Sequence, residues 1–307
     1  MSRIPRIRIQ QHHEYNLVVN EVFQKGDYMI GPHLEKFANS FKKAINEENV
    51  AFTANGFSAL FLTLKALGLS GKRVLVPDVS TCFAIVNAVL ASGNTPIFCA
   101  LDYDNLSLNI IDATKIYEEH GFDAIISISH FGIPAENRQF RVFNVPIIED
   151  AAQSFLTRTN IKADADVTVF SFYPTKFINA VDGGAVVSDE KKLIDNIKDL
   201  TYYDAQRSYD EIVRYNYKFP NFHAALGLIG LDNLVSTKKR LSEISGIYMQ
   251  KFNKLGIQYM KKQFYEGVIP SKILLRVESE YTCGFKEVFA KFQIEVSREL
   301  ISLQPTQ

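Results

Sequence analysis

The sequence contains no tryptophan, only three cysteines and no excess of either charge. Lys plus Arg and Asp plus Glu both number 34, so the formal net charge is zero. No overall field therefore draws the chain to nucleic acid or to an anionic membrane. Cys82, Cys99 and Cys283 show no Cys-x-x-Cys spacing and no paired framework. That disfavours a zinc or iron–sulfur site and favours a reducing compartment, the cytoplasm. No segment reaches the roughly 18 uninterrupted apolar residues of a membrane helix. The N-terminal stretch MSRIPRIRIQQHHEYN has basic residues but no apolar run behind them, so no leader is expected.

What is present is an ordinary globular composition, 47% hydrophobic and 22% charged, over 307 residues, enough for a full core and two unequal domains. Short apolar runs alternate with helix-period segments. Candidate strands are Arg73 to Asp78, Thr95 to Ala100, Asp123 to Ser129, Val145 to Asp150, Asp166 to Phe172 and Gly184 to Ser188. Most are rich in Val and Ile without polar alternation, as strands covered on both faces are. Helical stretches lie at Phe57 to Gly68 and Phe83 to Ser92, and another follows the last strand. The pattern is that of an α/β domain with a mainly parallel sheet. A long helix is expected from Ser236 to about Leu255. A smaller unit follows, with a strand in SKILLRVES and a helix near Phe285 to Phe292, which places the domains at residues 1–235 and 236–307.

In an open parallel sheet, ligands sit at the carboxyl ends of the strands. Asp150 ends one candidate strand, Ser171 lies at the end of another with Lys176 just beyond, and Ser129-His130 follows a third. The pair Glu149-Asp150 either opens a helix, where carboxylates meet unpaired N–H groups, or supplies an acid to the crevice. Lys176 is either a solvated cation or a reactive amine. The aromatics and proline of FYPTK give it partly dry surroundings, and DGG beyond it reads as a flexible turn into the next strand. A carboxylate at one strand end and a lysine beyond another are what pyridoxal phosphate requires. Asn55-Gly56 before a helical run offers the first amides of a helix, at Gly56, Phe57 and Ser58, to a phosphate, or is a plain N-cap. His130 either orients a substrate or bonds the backbone.

With these segments in view, the sequence resembles the DegT/DnrJ/StrS family of sugar aminotransferases. The matching pieces occur in family order: GPHLEKF, ANGFSAL, GNTPIFCALDYDNLSLN, SHFGIPAE, IIEDAAQSF, FSFYPTKFINAVDGGAVVS and YNYKFPNFHAALGL, over roughly residues 5 to 255. The resemblance implies a type I pyridoxal-phosphate transferase fold, like aspartate aminotransferase, with a smaller, abbreviated α+β domain at the C-terminus. It implies a cytoplasmic homodimer that moves an amino group from an amino acid, usually glutamate, to a nucleotide-linked keto-sugar for polysaccharide or natural-product synthesis.

Carried onto matching positions, Lys176 is the implied Schiff-base lysine and Asp150 the partner of the ring nitrogen. Gln153 is implied beside the ring hydroxyl. Ser171 and the Gly56 to Ser58 amides are implied at the phosphate, and Asn216 in the neighbouring subunit's phosphate site. Three features depart from the family pattern. Phe57 stands where a threonine is usual. Cys82 stands at the ring-stacking position, which Phe83 fills only if the register shifts. The C-terminal unit is short. Alternatives are a pyridoxamine-phosphate sugar dehydratase, against which Lys176 weighs, and a non-catalytic relative of the same fold.

Overall fold

The computed structural model describes residue 9 and residues 12–80, 82–205, 211–296 and 301–304. The ends of the expected domains, residues 1–8 and 305–307, lie outside the described residues. The chain runs through α1 (Glu14–Lys25), α2 (Pro32–Ile45), β1 (Val50–Thr53), α3 (Gly56–Ala66), β2 (Arg73–Pro77), β3 (Val79–Ser80), α4 (Ala84–Ala91), β4 (Thr95–Cys99) and α5 (Ile110–His120). It continues through β5 (Ala124–Ile128), β6 (Ile147–Asp150), α6 (Phe155–Arg158), β7 (Val167–Ser171), β8 (Gly184–Val187) and α7 (Lys191–Leu200). The last elements are α8 (Asn221–Asp232), α9 (Leu234–Leu255), α10 (Thr282–Lys291) and β9 (Ile301–Ser302).

Seven strands form one sheet in the order β1-β8-β7-β6-β5-β2-β4. The pairs β2–β4, β2–β5, β5–β6 and β6–β7 are parallel, and β8 runs antiparallel to both its neighbours. The six strands expected in the α/β part all form, within one or two residues at each end. Their lack of alternation has the anticipated cause, because successive residues go to opposite faces and both faces are covered. Ile126, Ile148, Val169 and Val186 pack with α3, α4 and α7, while Ile125, Ile147, Phe170 and Ala185 pack on the other side. In place of tryptophan, phenylalanine fills the larger gaps. Phe37, Phe41, Phe52, Phe172 and Phe219 form one cluster with ring centroids 5.2–6.5 Å apart, each edge-on or tilted pair contributing about 0.5–1.5 kcal/mol beyond its buried area.

The register sets the site. Ile128 pairs with Asp150, Asp150 with Val169, and Gly184 with both Ser171 and Thr53. The carboxyl ends of β1, β5, β6 and β7 therefore lie along one edge of the sheet. Asn221, fully buried at the start of α8, ties the N-terminal helices to this frame. Its Oδ1 accepts from His33 N at 2.9 Å and Leu34 N at 3.2 Å, and its Nδ2 donates to Asp27 O at 2.6 Å. The start of α2 is thus capped from 188 residues away, and GPHLEKF forms the N-cap and first turns of that helix.

The expected strand at SKILLRVES does not form; Leu275 makes a single bridge to Tyr259. The reason is that the segment's polar groups bond elsewhere. Leu274 N donates to Gln263 Oε1 and Leu274 O accepts from Gln263 Nε2, both at 3.0 Å, and Ser271 N donates to Phe131 O at 2.8 Å. Instead β9 pairs with β3, Ser80 opposite Ile301, and Leu303 N donates to Asp78 O at 2.8 Å. Residues 301–303 therefore lie beside Asp78–Ser80, just ahead of Cys82. Among the described residues no helix is long and apolar enough to cross a membrane.

Candidate active site

Asp150 is the last residue of β6 and only 8% exposed. The acid pair does not open a helix. Residues 151–154 form a turn, α6 begins at Phe155, and strand alternation sends the two carboxylates to opposite sides. Glu149, fully buried, is held by the Arg158 guanidinium, with Arg158 Nε donating at 2.9 Å to the Oε1 that Ser129 Oγ also bonds. Asp150 instead accepts from Ala152 N at 2.9 Å and faces Lys176. Burial raises its pKa, with the Ala152 N–H and the Lys176 charge pulling the other way.

Lys176 closes a turn in which its N–H donates to Tyr173 O at 2.8 Å. Burial lowers the pKa of its amine, Asp150 and Cys82 raise it, and the charge of Lys272 lowers it. Of the two aromatics expected to dry its surroundings, only Phe172 is buried; Tyr173 is 54% exposed. The Gly-Gly pair works by close approach rather than by flexibility. A Cβ on Gly184 would lie 2.5 Å from Asn55 O, and one on Gly183, at φ +142, would lie 2.5 Å from the Phe219 ring. A side chain on Gly184 would lift the Thr53–Asn55 segment off the sheet, and one on Gly183 would push into the Phe172 and Phe219 rings.

That segment leads into α3. Asn55 is its N-cap: Asn55 Oδ1 accepts from Ser58 N at 2.8 Å, and Ser58 Oγ accepts from Asn55 N at 3.0 Å. The plain N-cap reading is therefore realised. Ser58, fully buried, has its amide and hydroxyl committed to the cap. The sequence-based assignment of the Ser58 amide to a phosphate is corrected, and the helix-start amides that the cap leaves over are those of Gly56 and Phe57. Gly56 lies against Ser171, so closely that a Cβ on it would come within 3.0 Å of Ser171 Cβ. Phe57 turns its ring onto Phe61, centroids 6.2 Å apart, and supplies no hydroxyl.

Cys82, rather than Phe83, faces the acid and the amine. The Cys82 residue is exposed, yet its thiol is pushed up by loss of surrounding water and by the Asp150 charge, with Lys176 opposing. Phe83 is 52% exposed at the start of α4. Gln153 lies in the turn after β6, not on a helix, and its Oε1 accepts from Phe131 N at 3.2 Å. Asn216 is exposed on an extended segment whose neighbours Tyr215 and Tyr217 donate their N–H groups to Leu200 O and Thr201 O. His130, at the end of β5, is 1% exposed and neither ring nitrogen has a hydrogen-bond partner; burial alone lowers its pKa to about 4, so it is neutral at ordinary pH. Of the two roles left open for it, the ring does not take that of bonding the backbone.

The edge thus gathers Asp150, Lys176, Ser171, Cys82, Gln153 and the start of α3. Sequence reasoning missed Lys272, the Glu149–Arg158–Ser129 network and the Asn221 cap, none of which has a local signature. Among the described residues no cluster of His, Cys, Asp and Glu is arranged for a metal ion.

Known proteins share this arrangement of elements. GDP-perosamine synthase of Escherichia coli O157:H7 is 31% identical over 236 residues, 73% of this chain and 64% of that protein. The dTDP-3-amino-3,4,6-trideoxy-alpha-D-glucose transaminase of Streptomyces venezuelae is 30% identical over 246 residues, 77% of this chain and 64% of that protein. The chain therefore spans a little under two thirds of the length of these relatives. The crystal structure of S. venezuelae DesV in complex with a ketimine intermediate superposes with a TM-score of 0.82 at 26% identity, covering 95% of this chain and 82% of that one. The model of the DegT/DnrJ/EryC1/StrS aminotransferase family matches residues 10–291. With nearly its whole length matched, the chain belongs to the DegT/DnrJ/EryC1/StrS aminotransferase family.

Proposed function

We propose that the protein is a pyridoxal-phosphate-dependent aminotransferase that moves an amino group from an amino acid, glutamate by the family's habit, to a nucleotide-linked keto-sugar. The observation that carries this reading is the pairing of Asp150 and Lys176 at the ends of neighbouring strands, in a niche where burial works against charge on both. A cation set against Asp150 would supply what that niche lacks, and a protonated pyridine nitrogen is such a cation. The cradle also fits the other end of the cofactor, with two unclaimed helix-start amides beside a serine hydroxyl and a glycine that leaves room for close approach.

Pyridoxal phosphate, when bound, supplies an electron-accepting ring conjugated to the substrate carbon. Asp150 would hold the ring nitrogen in its protonated form. Lys176 would hold the cofactor covalently and carry a proton at its amine, whose pKa burial lowers. The amides of Gly56 and Phe57 and the hydroxyl of Ser171 would hold the phosphate. Gln153 would bind the ring hydroxyl, and Cys82 would offer a thiol to the ring. Asn216, exposed on its extended segment, reaches the phosphate site of a second copy, making the enzyme a homodimer with shared sites in the cytoplasm. The names of the relatives support a nucleotide sugar as acceptor.

The test is to mix the purified protein with pyridoxal phosphate, then with glutamate and a panel of nucleotide-linked keto-sugars. Lys176→Ala is expected to lose the covalent adduct trapped by borohydride and to lose transfer by about 10²–10⁴-fold or more. Full transfer by Lys176→Ala would refute the reading. Failure of the unaltered protein to take up cofactor would favour a non-catalytic relative, a reading that Phe57 and Cys82 motivate.

A further inference from the structure

A second lysine reaches the crevice from the C-terminal part of the chain. The segment carrying Lys272 lies across the His130–Gly132 turn and is tied to it from both sides. Ser271 N donates to Phe131 O at 2.8 Å. Thr157 Oγ1 donates to Gly132 O at 2.8 Å and accepts from Ile269 N at 3.0 Å. Gly132, at φ +94, touches Ile269 O so closely that a Cβ would force the two segments apart. Beyond the lysine, Leu274 is held by both ends of the Gln263 amide. The Lys272 stem therefore starts from a fixed backbone, and its ammonium sits 5.8 Å from the Phe131 ring centroid. The amide of that same Phe131 bonds Gln153, three residues beyond Asp150. Among the described residues, Lys272 is the cation whose charge acts on the Lys176 amine.

The chemistry of an amino donor makes this placement meaningful. Its carboxylate is attached to the very carbon whose amine would displace that of Lys176, so the carboxylate must arrive at the Lys176 end of the same crevice, where burial works against charge. Such a group needs a cation close by. The diphosphate of a nucleotide sugar is separated from its keto carbon by the sugar ring and lies farther out. We propose that Lys272 binds the α-carboxylate of the amino-acid donor, with the His130–Gly132 turn and Thr157 fixing its position. The inference rests on the aminotransferase reading and deepens it.

The experiment uses the full chain loaded with pyridoxal phosphate and mixed with glutamate alone, following loss of the visible cofactor band. In Lys272→Met the half-saturating glutamate concentration is expected to rise about tenfold or more, the worth of a charge-assisted hydrogen bond. The limiting rate should change less, saturation by nucleotide sugar should stay unchanged, and Lys272→Arg should recover most of the loss. A second measurement needs no cofactor: calorimetric titration of the unloaded protein with 2-oxoglutarate, whose binding Lys272→Met should weaken by a similar factor. Unchanged glutamate saturation in Lys272→Met overturns the proposal, as does a shift confined to the nucleotide sugar, which would assign the lysine to the diphosphate. If the unaltered protein takes up no cofactor, the aminotransferase reading fails by itself. The calorimetry then decides for Lys272, and no 2-oxoglutarate binding, or equal binding by both forms, overturns it.

Discussion

The two ends of the crevice are held by different kinds of structure. At the end proposed for the phosphate the hydrogen bonds are local: Asn55 and Ser58 bond each other across one helical turn, while Gly56 packs against Ser171 from a strand that lies beyond β8. At the end proposed for the donor the turn at 130–132, the stretch from Glu149 to Arg158 and the segment at 269–272 meet, although they are up to 140 residues apart in the bonds that join them. Beneath this end lies a buried ion pair, Glu149 with Arg158, and a neutral buried histidine. A local cap is replaceable at small cost, whereas a buried charge that loses its partner has nowhere to go.

Cutting the donor end at its foundation should therefore cost most. Arg158→Met leaves the Glu149 carboxylate fully buried without its cation, and urea unfolding should show a loss of about 3–5 kcal/mol. Replacing both residues with apolar ones of similar volume should restore most of it. The next effect is one of pH. His130 titrates near 4 in the folded chain and near the ordinary 6.5 when unfolded, so between these values the unfolded state binds the extra proton. Stability should be flat above pH 6.5 for this group and fall by about 3 kcal/mol as the pH drops to 4. In His130→Phe that part of the slope should vanish from a pH series of unfolding curves.

Thr157→Val removes the hydroxyl that joins Gly132 O to Ile269 N and should cost about 1–3 kcal/mol. It should also raise the half-saturating glutamate concentration, because it loosens the base of Lys272. An unaltered thermal midpoint in this variant would show that the two segments hold together without the bridge. The smallest effect belongs to the phosphate end. Asn55→Ala deletes the cap of α3 and should lower stability by about 1 kcal/mol in the same assay. If it costs more than Arg158→Met, the contrast between the two ends is wrong.

The phosphate end and the strands were legible because their signals are local. Runs such as VPIIED and DVTVFSF declare strands covered on both faces, and Asn-Gly before an apolar helix declares a cap. Asp150 and Lys176 were found because a parallel sheet delivers the residues after its strands to one edge. Ser58 was misassigned because sequence cannot tell a helix-start amide that is free from one already bonded by its own cap. SKILLRVES was misread because its apolar run matches a strand, while its backbone is claimed by Gln263 and Phe131.

By itself the sequence determined the alternation of strands and helices, the parallel edge and the acid and amine placed on it, since each follows from the periodicity and composition of a few neighbouring residues. Only the tertiary structure decided that Glu149 turns away to Arg158 while Asp150 faces the crevice, that the thiol of the exposed Cys82 comes under the charges of Asp150 and Lys176, and that Lys272 arrives from the far end of the chain. Those outcomes depend on which distant backbone groups and charges are left to be satisfied once the sheet has formed, and no window of the sequence contains both partners.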